Sequence, residues 1–543
     1  MTTRDKPAHP QATAAPGAVS PFGPFRHQAF AVVWTATVVS NIGSWMQSAA
    51  GSWLMTGLDP DPLSVSLVQV AASLPLFLFG LPAGALADVV DRRRLLVAME
   101  VVGTALCAIF AATVWLGHAT AFTLILFTFL IGTANAMIAP AWQSVVPQLV
   151  PRGELPQAVA LNSVGINISR AVGPALAGVI IAWMGLAAPF WLNAVSGLGV
   201  IAALVWWRPH AGVARDLPAE ALGSAIRAGL RYARFNPPLR ATLYRAIGFF
   251  VFASAYWALL PLVARDQIKG SATLYGILLG AIGIGAVGGA FVIPRIKARL
   301  GPDNLVVAGS IGTAIAMLLY AIARQPVVAL LASLIAGISW IGVLATLNVS
   351  AQVALPEWVR GRGLALYVTI MFGAMTLGSV LWGEAASLWG LSAAQFAAAI
   401  AALLAIPLMR RWRLQTGADL DLTPSMHWPV PVLPDGVGHD QGPVLVTVEY
   451  RIDNASRDRF LAAINRLAGE RRRDGAYQWG IFEDTQKPGR YLETFVVDSW
   501  LEHLRQHERV TQADRALQDR IEALQTVGTP VVTHLLAARR SSK

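Results

Sequence analysis

The chain has 543 residues, 55% hydrophobic and 13% charged, with a formal net charge of +11, and its mean hydropathy is +0.53. Soluble domains spend about a quarter of their residues on charge, so this composition excludes an all-soluble enzyme. Residues 444–543 alone hold 16 Lys and Arg and 14 Asp and Glu, so an apolar body is followed by a water-loving tail.

Residues 1–28 are polar and rich in Pro and Ala, and read as a disordered tail without the apolar centre of a signal peptide. Apolar runs long enough to span a bilayer then recur about twelve times, at 29–51, 64–86, 95–116, 120–140, 158–182, 187–207, 241–262, 273–293, 304–323, 327–349, 364–385 and 391–409. With the N-terminus inside, alternation puts 21 Lys and Arg in the inner segments. Only Arg265, Lys269 and Arg324 fall outside. The positive-inside rule therefore predicts cytoplasmic termini, with the basic surplus facing anionic lipid and not nucleic acid. In the long inner loop 208–240, Leu222, Ile226 and Leu230 flanked by Arg227, Arg231 and Arg234 predict an amphipathic helix lying on the membrane surface.

The body repeats. Gln143-x-x-x-Pro147 with Arg152-Gly matches Gln352-x-x-x-Pro356 with Arg360-Gly, and Gly84 before Arg92–Arg94 matches Gly289 before Arg295, Lys297 and Arg299. The two offsets nearly agree, which predicts two six-helix halves, 29–207 and 241–410, with a substrate site between them.

Gly84-Ala-Leu86-Ala-Asp88-Val-Val-Asp91-Arg92-Arg93 resembles the loop motif of the major facilitator superfamily, although Val89 and Asp91 replace its usual Arg and Gly. The resemblance implies a gate in which Asp88, with Gly84, Arg92 and Arg93, accepts bonds from the opposite half. Arg170-Ala-Val-Gly173-Pro174 with Gly178 resembles the span-five motif of proton-driven exporters of that superfamily. The run from Ala139-Pro-Ala-Trp142 through Pro147, Arg152 and Glu154 to Asn162 is similar to the enterobactin-exporter-like, transmembrane secretion effector branch. That similarity implies export of small molecules such as siderophores or drugs across a bacterial plasma membrane.

Ionisable residues inside spans are costly and mark function. Glu100 is the first candidate proton carrier and Glu384 the second, with Arg170 near the midplane able to modulate them. Arg245, a turn or so into its span, reads as a snorkelling anchor. One proton moving inward across 100 mV supplies roughly 2.3 kcal/mol. No P-loop is present, so proton motive force is the expected energy source and no cofactor is expected. Candidate cavity residues are Trp34, Asn41, Trp45, Gln47, Asn135 and Asn167, while Trp257 and Trp340 suit either a cavity or an interfacial belt.

Residues 411–443 form a Pro-rich linker. The tail then alternates as strand Val444–Arg451, helix Arg457–Arg473, strands Tyr477–Glu483 and Tyr491–Asp498, helix Trp500–Leu524 and strand Pro530–Leu536. This order predicts an α+β ferredoxin-like domain, and it resembles antibiotic biosynthesis monooxygenase-type dimeric α/β barrels, which implies dimerisation. His503 and His507 are spaced i, i+4 but no third ligand is visible, so they read as a solvated face and no metal is expected. The leading expectation is a proton-coupled exporter of small amphipathic molecules working by alternating access. An uncoupled or inward carrier of the same fold, or a membrane protein with an enzymatic tail, stays open.

Overall fold

A computed structural model of the chain describes residues 20–208, 222–415, 421–425 and 441–538. The expected disordered tail thus falls, up to residue 19, outside the described residues, as do much of the central loop and most of the linker. Among the described residues, eleven helices are long and apolar enough to cross a membrane. They are α1 (Gln28–Leu58), α2 (Pro62–Val89), α3 (Arg92–Trp115), α4 (Ala121–Val145), α5 (Leu155–Met184), α6 (Ala188–Trp206), α8 (Pro237–Leu262), α9 (Ala272–Ile322), α10 (Pro326–Val353), α11 (Glu357–Trp389) and α12 (Leu391–Met409), with the shorter α7 (Leu222–Phe235) between the halves.

α9 has 51 residues, far more than a bilayer accommodates. Gly301 breaks it with φ 74°, a left-handed geometry that glycine adopts without Cβ strain, and Pro302 opens the second arm. Gly289 in the first arm lies against Ile338 and Ile341 of α10, and Gly309 in the second lies against Ser339 and Val343. A straight helix would hold those glycines about 30 Å apart, so α9 doubles back and supplies both expected spans, eight and nine. The repeat is visible in the element boundaries: α6 and α12 are both 19 residues long at a constant offset of 203.

The arginine-bearing ends gather at one end of the bundle. Arg93 at the start of α3 donates to the Leu204 and Val205 carbonyls ending α6 (2.9 and 2.6 Å). Arg245 on α8 is 2% exposed and donates to Asp303, just beyond the α9 fold (2.6 Å), and to the Trp412 carbonyl after α12 (3.0 Å). Arg245 is therefore an internal clamp of the second half, not the snorkelling anchor its position in the sequence suggests.

The C-terminal domain comprises β1 (Val444–Arg451), α13 (Arg457–Arg473), β2 (Gln478–Glu483), β3 (Arg490–Val497), α14 (Trp500–Arg509), α15 (Gln512–Glu522) and β4 (Val531–Leu536). Its antiparallel sheet runs β2-β3-β1-β4, the ferredoxin-like order. Val444, Val446, Val448, Tyr491, Phe495 and Val497 pack beneath Phe460, Ile464, Leu467 and Ile521. The single helix expected over 500–524 is two, because Thr511 and Asp514 form a capping box that starts a new helix. Residues 421–425 of the linker are bound to this domain: Ser425 N donates to Val510 O (2.9 Å) and Gln512 N to Thr423 O (3.0 Å).

Of the predicted apolar stripe of α7, Leu230 is exposed, and the side chains of Leu222 and Ile226 lie outside the described residues. Ala228, Tyr232 and Ala233 are buried. Tyr232 stands edge-on to Trp358 at the start of α11 (5.6 Å between ring centres), with Arg473 of the C-terminal domain over its ring (5.6 Å). Arg231 pairs with Glu502 (3.0 Å), and Arg509 stacks on Trp358 (4.5 Å). The bundle and the tail thus cover the side of α7 that carries Ala228, Tyr232 and Ala233.

Candidate functional site

The halves meet along two symmetry-related helix pairs, α2 with α11 and α5 with the first arm of α9. Ser73 and Thr376 hydroxyls share a hydrogen bond across the first (2.7 Å). The second is a glycine crossing. A Cβ on Gly276 would stand 2.6 Å from the Pro174 carbonyl oxygen and 3.1 Å from Gly178, while a Cβ on Gly178 would stand 2.7 Å from the Ala272 carbonyl oxygen. Gly173, one turn earlier, faces the other way: its Cβ would meet Trp45 Cβ at 2.6 Å and the Ile42 carbonyl oxygen at 2.8 Å. Gly173 thus draws α1 against α5, and Gly178 draws α5 against the partner half.

Overpacking a helix contact costs about 1–3 kcal/mol, a factor of roughly 5–150 in the population of the crossed arrangement. Gly276→Leu is accordingly expected to cut transport about tenfold or more while the protein still reaches the membrane. A transport assay normalised to membrane-inserted protein reads this, and wild-type transport by the variant would refute the close crossing.

Arg170 lies at the middle of the 30-residue α5, directly beyond the contact that Gly173 creates. Its guanidinium lies over the Trp45 ring of α1 (5.3 Å) and near Tyr256 of α8, in the other half. The Tyr256 ring neighbours Trp257 (5.7 Å) and Tyr320 (6.3 Å), and Trp257 stands edge-on to Trp340 of α10 (5.4 Å). Arg170 Nε and Nη1 and the Trp340 indole Nε1 are buried without a hydrogen-bond partner among the described residues, while the Tyr256 hydroxyl lies beside the Trp257 side chain. Buried polar groups are nearly always bonded, so the unpartnered Arg170 and Trp340 donors stand out in this aromatic cluster.

Trp257 and Trp340 are linked into this cluster and are not belt residues. Tyr256 was not singled out in the sequence, and nothing in its local pattern marks it, because its importance comes from Arg170 on a distant helix. The other expected residues scatter. Trp34 donates to the Leu161 carbonyl (3.1 Å) and packs on Phe25. Gln47 accepts from Asn193 (2.6 Å) and Cys107 (2.7 Å) inside the first half. Both are thereby occupied within their own half, away from the boundary. Asn167 donates to Ser163 O one turn back (2.8 Å), Asn135 is exposed and Asn41 half-buried.

Glu100 is half-buried on α3, a helix packed mainly on α4 and α6 of its own half. It makes no hydrogen bond or ion pair among the described residues, and the structure does not bring it to Arg170. Glu384 is exposed near the end of α11. In the loop motif, Gly84 has open space around its Cα and Asp91, not Asp88, caps α3 by accepting from Arg94 N (2.8 Å). Arg93 is spent on α6 as described above, while Asp88 ends α2 with its side chain outside the described residues.

A sequence model of the family described as transmembrane secretion effector matches residues 19–542. The chain belongs to the transmembrane secretion effector family. It is thus a membrane-embedded transporter of small molecules with the major facilitator fold. Relatives are the staphyloferrin A transporter of Staphylococcus aureus, 24% identical over 64% of this chain and 87% of that protein, and the multidrug efflux pump Tap of Mycolicibacterium fortuitum, 24% identical over 68% and 92%. The enterobactin exporter EntS of Citrobacter koseri is 24% identical over 66% and 85%. Among solved structures, a POT family transporter superposes with a TM-score of 0.60 at 11% identity, covering 71% of this chain and 96% of that one. A bacterial homologue of the lysosomal transporter Spinster, inward-facing and occupied, gives 0.56 at 13% identity over 72% and 98%. The monooxygenase resemblance of the tail gains no support from these matches, which leave a small ferredoxin-like sheet domain without an assigned activity.

Proposed function

We propose that this transporter exports an amphipathic, acceptor-rich anion by exchange for protons, its two halves exposing the Arg170 site alternately to either face of a bacterial plasma membrane. The arginine-bearing end, both termini and the C-terminal domain lie in the cytoplasm on this reading. The carrying observation is the unpaired Arg170 guanidinium between Trp45 and Tyr256: five N–H donors on an aromatic face suit a carboxylate or phenolate attached to an apolar scaffold. Two relatives are named as a staphyloferrin A transporter and an enterobactin exporter, which supports a siderophore-like small molecule as the cargo. Glu100 is the proposed proton carrier because a carboxylate in a membrane span without a partner among the described residues can exist in both protonation states, with Glu384 next.

The test follows accumulation of carboxylate and catecholate iron chelators, dyes and antibiotics in an efflux-deficient bacterium. Wild-type chain should lower accumulation of an anionic compound, and a protonophore or Glu100→Gln should abolish the effect. Loss with protonophore alone moves the proton site away from Glu100, and persistence with protonophore refutes proton exchange. Export should survive truncation after Gln415, a cut chosen because Leu414 N and Trp412 O bond to Asp303 and Arg245. The same truncation addresses dimerisation, proposed through the sheet face that leaves Phe482, Val531 and Leu535 exposed: a dimer in detergent should become a monomer.

A further inference from the structure

We propose that the C-terminal domain holds a divalent transition-metal ion between His503 and His507 of α14 and His534 of β4. The i, i+4 spacing sets the first two imidazoles on one helix face. β4 pairs with β1 so that His534 stands opposite Val446, on the helix-covered side of the sheet and beneath α14. Sequence spacing showed only two of the three ligands because the third is contributed by an edge strand 27 residues after His507.

The geometry is that of a ligand set more than of a packing cluster. His503 Nε2 and His507 Nε2 are 3.3 Å apart, close to the separation of about 3.4 Å that a tetrahedral ion with bonds of about 2.0–2.1 Å imposes on two nitrogens. One nitrogen from each ring lies within 4.8 Å of the others, so a point no more than about 2.6 Å from all three exists, half an ångström from a coordination bond. His503 is 2% exposed, and its Nδ1 faces Gln506 Oε1 (3.3 Å), the outer-shell arrangement that fixes a histidine ligand with Nε2 toward the metal. Trp500 packs on His503 and His534 (5.5 and 5.8 Å) and walls the cluster. The nearby Arg471 charge is neutralised by Glu493 (3.1 Å). Three histidine nitrogens suit Zn²⁺, and binding would tie β4 to the helix whose other face carries Glu502 and Arg509 against α7 and Trp358.

The test uses full-length chain in detergent, purified without a polyhistidine tag, stripped with a chelator and titrated with Co²⁺. One equivalent should bind with the intense visible absorption of a tetrahedral site and be displaced by Zn²⁺. His507→Gln and His534→Gln should each weaken binding by at least about 100-fold, the upper end of what outer-shell partners alone cost. Glutamine at 507 can still donate to His503 Nε2, so this variant keeps the packing and removes the ligand. Should His534→Gln fail to fold, His507→Gln decides alone. Absence of stoichiometric Co²⁺ uptake by the wild type, or uptake unchanged in His507→Gln, would overturn the site.

Discussion

Replacing Arg170 by glutamine is expected to cut export of an anionic substrate sharply while leaving the protein folded and inserted. The guanidinium lies over Trp45 and has Nε and Nη1 buried without protein partners among the described residues, so its removal breaks no bond that holds the bundle together. It removes instead the one positive charge the proposed site offers. Hydrogen bonds to charged groups contribute about 1.5–3 kcal/mol, so transport should fall by roughly 10- to 150-fold. Arg170→Lys keeps the charge but loses the planar fork and its stacking on the indole, and should recover only part of that loss. Initial rates of substrate uptake into inverted vesicles, whose cytoplasmic face is outward, normalised to protein, measure both variants. Wild-type rates in Arg170→Gln would sink the substrate assignment, and equal loss for neutral compounds would turn Arg170 into a general gating residue.

The largest stability effect is expected in the C-terminal domain, from Glu493→Gln. This carboxylate is fully buried and accepts from Arg471 Nε (3.1 Å), the Tyr450 hydroxyl (3.0 Å) and Trp479 Nε1 (2.9 Å). Glutamine keeps an oxygen for the neutral donors but leaves the Arg471 charge uncompensated inside the domain. Breaking a buried pair from one side costs about 3–5 kcal/mol, a large share of the 5–15 kcal/mol that holds a typical domain. Amide exchange in β1 and β3, followed by mass spectrometry on the intact chain, should accelerate by roughly 150- to 5,000-fold. The double variant Arg471→Met, Glu493→Leu should regain much of the protection, because no lone charge remains. Export is expected to be unchanged in Glu493→Gln. A parallel loss of export would show that the tail, clamped on Trp358 and α7, is required for transport.

The sequence was most informative where a single local quantity decides the outcome. Bilayer thickness sets span length, and charge placement sets the loops, so the number of membrane segments, the two-half repeat and the strand order of the tail could be read directly. The α9 fold is a boundary case: the arginine-rich stretch 295–299 correctly separates two spans, but only the φ of Gly301 reveals that a single residue turns the helix. The Thr511–Asp514 capping box was legible in principle, as a T-x-x-D pattern within a charged helix.

Partnerships between distant elements were not legible. The sequence determined by itself that this is a twelve-span, two-half membrane transporter with a ferredoxin-like tail, because hydropathy, charge asymmetry and strand alternation are properties of contiguous residues. It also named Arg170, Gly173 and Gly178, whose residue types are rare or specific inside a span. Only the tertiary structure decided that Arg170 faces Tyr256 while Glu100 stays within its own half, that Arg245 clamps Asp303, that α7 carries the tail, and that His534 joins His503 and His507. Each of these depends on which helix faces meet across tens to hundreds of residues, and that is fixed by close packing of small residues at crossings such as Gly178 on Gly276, a contact whose geometry no local pattern encodes.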